Sequence, residues 1–203
     1  MKLLQYLLVV LIALSAACSG KQLPEVKQLS LRDPRLSLEA RRWLADSEDE
    51  VVIARAGVEM AQARLMQIED YKHTLTEEEV FLPGPGNKAN VDQVEQSLYA
   101  YVESELVLEE AQLSAAKKAL ELANARLTQV RAETAIRYDL AVYPMEPIVQ
   151  HVEELKSEVA TANGMLEDLR INVETRAAQL WRDYAKFVQQ GGVTRNFWKF
   201  RSL

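Results

Sequence analysis

The chain has 203 residues, a length that suits one domain or at most two. It carries 24 Lys and Arg against 30 Asp and Glu, a formal net charge of -6, so no overall positive field draws it to nucleic acid. With 7 Gly, 6 Pro, 2 His and one Cys, it has few loop-forming residues and excludes both an intramolecular disulfide framework and any multi-cysteine metal site.

At the start, Lys2 precedes an apolar stretch from Leu3 to Leu14 and the small residues Ser15, Ala16 and Ala17, with Cys18 next. A cation, an apolar segment and small residues in that order make residues 1–17 a secretory signal peptide, too short for a transmembrane helix. Cys18 at the cleavage position resembles the lipobox of bacterial lipoproteins, with Ser15 where Leu is usual and Leu14 one place earlier. The resemblance implies that the Cys18 thiol receives diacylglycerol, that signal peptidase II cuts before it, and that the new amine is acylated. These acyl chains exceed what stable anchoring needs, at about 0.8 kcal/mol per buried methylene. Residue 19 is Ser, not the Asp that resembles an inner-membrane retention signal, so the implied address is the periplasmic face of the outer membrane. Losing residues 1–17 removes Lys2 and leaves a mature charge of -7, so the acidic body is expected to stand off an anionic bilayer.

Beyond the anchor, proline and glycine mark the breaks, because Pro removes a helix hydrogen bond and Gly weakens a helix interior. Pro24 and Pro34 fall in a linker over residues 18–34; Pro83, Gly84, Pro85 and Gly86 form one turn, Pro144 and Pro147 another, and Gly191-Gly192 ends the regular part. Helices are predicted over about residues 35–81, 89–142 and 146–190, followed by a tail over 191–203. The first has Val51, Ala54, Val58, Ala61, Leu65, Ile68 and Leu75 on one heptad frame. The second has Leu106, Leu113, Ala116, Leu120, Ala123, Leu127 and Val130, while Val91, Val94, Leu98 and Val102 need a shift of frame, read as a stutter. The third runs Ile148, Val152, Leu155, Val159, Ala162, Leu166, Leu169, Val173, Leu180 and Tyr184. Short connections between such helices predict an all-α, elongated, up-down-up three-helix coiled-coil bundle.

Pairing the first two helices about the Pro-Gly turn places Gly57 near Ala115, where small residues on both sides let the backbones come close. Pairing the last two sets Gln190 level with about Ala100. The Pro-Gly turn and the tail then share one tip, away from the lipidated end, although a linker over residues 19–34 reaches about 55 Å when stretched.

A search for chemistry finds little. Asp70 and Glu69 stand near His73, and His151 near Glu154, but there is no Glu-x-x-His and the two histidines fall near opposite ends, so no metal site and no cofactor beyond the covalent lipid are expected. Nucleophile, phosphate-loop and zinc-protease motifs are missing, and neither enzyme activity nor a small-molecule substrate is expected. The acidic runs Glu48-Asp49-Glu50, Glu77-Glu78-Glu79 and Glu109-Glu110 read as solvated helix faces. The tail stands out: Arg195, Lys199 and Arg201 interleave with Phe197, Trp198 and Phe200, the residue types that dominate interfaces. These six either dock to a partner or to another membrane surface, or Phe197, Trp198 and Phe200 fold back to cap the open end of the bundle core. The sequence therefore predicts a lipid-anchored periplasmic adaptor that presents a binding tip to an envelope machine for transport, secretion or motility, or that associates with copies of itself. The alternative is a holdase or assembly chaperone for outer-membrane proteins, a class whose coiled-coil members this chain resembles only in its helices.

Overall fold

The computed structural model describes residues 23–77, 79–84 and 90–195. The fold is an all-α bundle of three long antiparallel helices, α1 (Leu38–Glu77), α2 (Val91–Arg137) and α3 (Met145–Gln189). It adds two two-residue strands that the sequence period does not reveal, β1 (Phe81–Leu82) and β2 (Val193–Thr194). Its longest element has 47 residues, which at the helical rise makes a rod about 70 Å long.

The first two helices are shorter than predicted, for local reasons, and the third keeps its predicted length. Ser37 caps α1 by accepting the Ala40 N–H at 3.1 Å, so the helix starts after Leu36 rather than at Arg35. It ends at Glu77, where the acidic run meets the negative end of the helix dipole. Asn90 caps α2 through the Gln93 N–H at 3.1 Å. At the other end Asp139 adopts a positive φ of 52°, closing α2 five residues before the predicted boundary at 142. Pro144 sits at the α3 N-cap and Pro147 in its first turn, where a missing donor costs nothing.

Helix α2 is the central member. α1 and α3 each run along it and approach each other only slightly. In the half nearer β1 and β2, one cluster joins all three helices: Ile68 and Leu75 of α1, Val94, Leu98, Val102 and Leu108 of α2, and Leu166, Val173 and Leu180 of α3. In the other half the contacts separate. Val51 packs on Ala123 and Leu127, whereas Val152 and Leu155 pack on Leu122 and Ala125. In this half the second helix thus has two buried faces, one for each neighbour. Gly57, Ala61, Ala115, Ala116 and Ala119, the small residues paired in the sequence, line an open groove of about 360 Å³ together with Val159 and Leu166 of α3, and a Cβ on Gly57 would meet nothing within 4 Å.

Cross-helix pairs give the register. Lys72 pairs with Glu103 and Arg131 with Glu48 between α1 and α2. Between α2 and α3, Lys118 pairs with Glu158, and Gln93 and Ser97 donate to Asp183. Because α2 ends early, α3 climbs further than predicted, and Gln190 lies level with Asn90 rather than Ala100, accepting the Asn90 N–H at 3.1 Å.

Glu109 departs from the solvated face expected of it. It is 6% exposed and its Oε2 has no hydrogen-bond partner. Burial raises its pKa, the Arg64 guanidinium lowers it, and the carboxylate of Glu105 raises it again, with a net upward shift. The ionised form thus disfavours the folded state above the folded pKa, and that penalty fades as pH falls toward the unfolded value. Glu109→Met is expected to stabilise the protein by about 1 kcal/mol at pH 7. Thermal melts of both proteins should show the gain narrowing as the pH is lowered toward the ordinary carboxylate range.

Candidate functional site

The structurally distinctive end of the rod is the tip where α1 ends, α2 begins and α3 ends. Helix α3 closes in a Schellman arrangement. The Gly192 N–H donates to the Phe187 carbonyl and the Gly191 N–H to that of Val188, both at 3.0 Å, with Gly191 at φ +86°. This reversal aims the chain back across the bundle end. There β2 pairs antiparallel with β1, Phe81 opposite Thr194 and Leu82 opposite Val193, and the Arg195 N–H donates to the Val80 carbonyl at 2.8 Å.

Beneath this ladder the core is plugged by two aromatic rings. Phe81 and Phe187, both buried, meet edge to face with centroids 5.3 Å apart. Glycine is required above them. A Cβ on Gly192 would lie 2.3 Å from the Phe187 ring, and one on Gly84 would lie 1.5 Å from the Gly191 carbonyl oxygen. The Pro-Gly turn and the end of α3 are thus in backbone contact, as the shared tip requires.

A buried carboxylate ties the tip to the bundle. Asp183 is 3% exposed and accepts from Gln93 Nε2 at 2.9 Å, Ser97 Oγ at 2.6 Å and Gln179 Nε2 at 2.6 Å. The Ser97 hydrogen bond is the main cause of its lowered pKa, against burial, with Gln179 and the Lys186 and Arg182 charges adding to it. On the outer surface Val188, Val193 and Arg195 are exposed.

Of the residues singled out in the sequence, Arg195 stands at this tip. Cys18, Phe197, Trp198, Lys199, Phe200 and Arg201 lie outside the described residues. Sequence reading missed Asp183, Phe81 and Phe187. Phe187 falls one heptad beyond Leu180 on the third helix's own frame, a signal the pattern offered, whereas Phe81 falls at the end of the first predicted helix, 35–81, and lies in β1 instead. His73 is exposed and pairs with Glu77 at 3.3 Å, while His151 lines a crevice between α2 and α3. Among the described residues no group of three metal-ligating side chains comes together, and no helix is long and apolar enough to cross a membrane. No family model matches the chain, and neither curated proteins nor solved structures give a match.

Two substitutions probe the tip. Gly84→Ala is expected to force β1 from β2, read as faster amide exchange of Arg195 with the helices unchanged. Asp183→Asn is expected to cost about 1.5–3 kcal/mol at pH 7, the worth of hydrogen bonds to a charged group. Because the folded pKa of Asp183 is lowered, that contribution is present above the unfolded value and lost as pH falls through the folded one. Melting curves of the two proteins should therefore converge in acid.

Proposed function

We propose that the protein is a non-enzymatic adaptor of the bacterial envelope. Lipid on Cys18 holds it to the periplasmic face of the outer membrane, and the rod presents its far tip to a protein partner in a machine for transport, secretion or motility. The observation that carries this reading is the separation of the two ends. The N-terminal linker packs at the Tyr143 turn, with the Lys27 N–H donating to Tyr143 Oη at 3.2 Å, while β1 and β2 close the other end about 70 Å away. Function at such a distance from an anchor suits display rather than catalysis.

The plugging of the core by Phe81 and Phe187 bears on the tail. With that end already closed, Phe197, Trp198 and Phe200 are not needed as its cap, which favours their use in binding beside Arg195, Lys199 and Arg201. A second reading, a holdase for outer-membrane proteins, draws support from the open groove, whose rim carries the exposed and adaptable side chain of Met60.

The test is in-cell cross-linking and mass spectrometry of the lipidated protein beside the variant Phe197→Ala, Trp198→Ala, Phe200→Ala. These substitutions leave Val193 and Thr194 in place, so the β1–β2 ladder is kept. The expected result is one abundant envelope partner that is lost in the variant. A spread of unrelated outer-membrane proteins captured equally by both would overturn the adaptor reading in favour of the holdase.

A further inference from the structure

The linker does not lead straight away from α1. Leu29 and Leu31 pack, with Val130, Tyr138 and Leu140, against the buried cluster of Leu36, Ala40 and Leu44, and the chain passes Tyr143 at Lys27. Leu23 reaches the crevice between α2 and α3 that Ala125, Ile148 and Leu155 line. The level of Ile148 to Leu155 is at most about 15 Å along α3 from its start. Leu23 stands five positions after Cys18, a span of about 17 Å at full stretch. The span from Cys18 to Leu23 is thus far shorter than the roughly 55 Å of an unpacked linker, and it matches the distance to the turn end of the rod.

That end has the chemistry of a membrane interface. Leu38 is 84% exposed and Val142 93%, unusual positions for large apolar side chains. Trp43 is exposed with the Arg137 guanidinium over its ring, 5.6 Å from the centre, and Arg42 lines the same hollow. An exposed indole beside a cation is the pair that settles at lipid headgroups, with the ring among glycerol backbones and the guanidinium on phosphate. Glu39 and Asp46 share the face. Over residues 23–46 and 130–150 seven cations meet seven anions, so the body's net negative charge lies elsewhere along the rod. Stand-off by an acidic body therefore does not apply to this end.

We propose that the turn end of the rod rests on a phospholipid bilayer, with Leu38 and Val142 entering the headgroup layer and Trp43, Arg42 and Arg137 lying along it. This extends the lipid-anchored reading of Cys18 and names the surface that meets the lipid.

The experiment uses the full chain, lipidated and reconstituted in vesicles of phosphatidylethanolamine and phosphatidylglycerol with brominated acyl chains. One form keeps Trp43 as its sole tryptophan, through Trp181→Phe and Trp198→Phe. A second keeps only Trp181, near the tip. Emission from Trp43 is expected to fall about two-fold or more, the result of an indole held at the interface, and that from Trp181 to stay unchanged. Leu38→Asp with Val142→Asp, at positions already in water, should keep helix content and lipid labelling while abolishing the quenching. Lipid label on Cys18 with Trp43 unquenched would overturn the docking and leave the anchor standing. Quenching of Trp43 without lipid on Cys18 would reject the anchor and uphold the docking. A second copy covering this face would leave Trp43 unquenched and appear as a dimer in light scattering, overturning the proposal.

Discussion

Helix α2 is buried along two faces, and the positions of the other elements follow from that. A helix with one apolar stripe can pack on one neighbour; α2 offers separate rows to α1 and α3, so the two outer helices are fixed in register to it rather than to each other. The consequence differs along the rod. Near the tip, large side chains on all three helices converge into one cluster. Past the alanines of α2 the rows diverge, and the space between α1 and α3 is left as a groove. Cooperativity should be concentrated in the tip half, where each helix supports both others.

The two ends solve the same problem differently. At the tip, three helix termini with unpaired backbone groups are covered by a Schellman closure, an Asn90 cap, a side-chain bond from Gln190 and a two-residue ladder. Asp183 adds a buried charge with three donors, which holds the start of α2 to the end of α3. At the turn end, the linker supplies part of the cover: Leu29 and Leu31 join Val130, Tyr138 and Leu140 around the buried Leu36, Ala40 and Leu44. One end is thus a self-contained, hydrogen-bonded cap and the other a wrapped apolar base with Leu38 and Val142 left outside.

Most of the helical body is legible in the residues. The heptad positions from Val51 to Leu75 and from Ile148 to Leu180 are buried or half-buried as the period requires, since a rod with few turns leaves little for tertiary context to override. What escapes the period is long-range. Phe81 and Val193 carry no strand signal because a two-residue ladder has no alternation to detect; only the Gly191 reversal and the nearness of the two helix ends create it. Glu109 looked solvated beside Glu110 because adjacent residues on a helix point about 100° apart, and one of the pair must turn toward the core when two faces are buried. The end of α2 at Arg137 depends on the positive φ of Asp139, which no spacing of prolines discloses. Of the tip, the shared location was readable from topology, whereas its plug and its buried carboxylate depend on contacts between residues about ninety to a hundred positions apart.

The folded-back linker changes what the two ends can do together. A tether of about 55 Å would let the rod sample many orientations above a bilayer, and any surface preference of its base would count for little. Packing Leu29, Leu31 and Leu36 at the base removes part of that freedom at the cost of ordering some ten linker residues, roughly 1–2 kcal/mol each, offset by the apolar burial of these side chains. On the anchored reading, the base is then held against lipid at the millimolar effective concentrations that short tethers give. Contacts too weak to recruit the protein unaided, two aliphatic side chains and one indole, are enough to bias the rod upright. On the proposed reading, an upright rod sets its tip at a height fixed by the length of α2, about 70 Å, and so sets where a proposed partner is met.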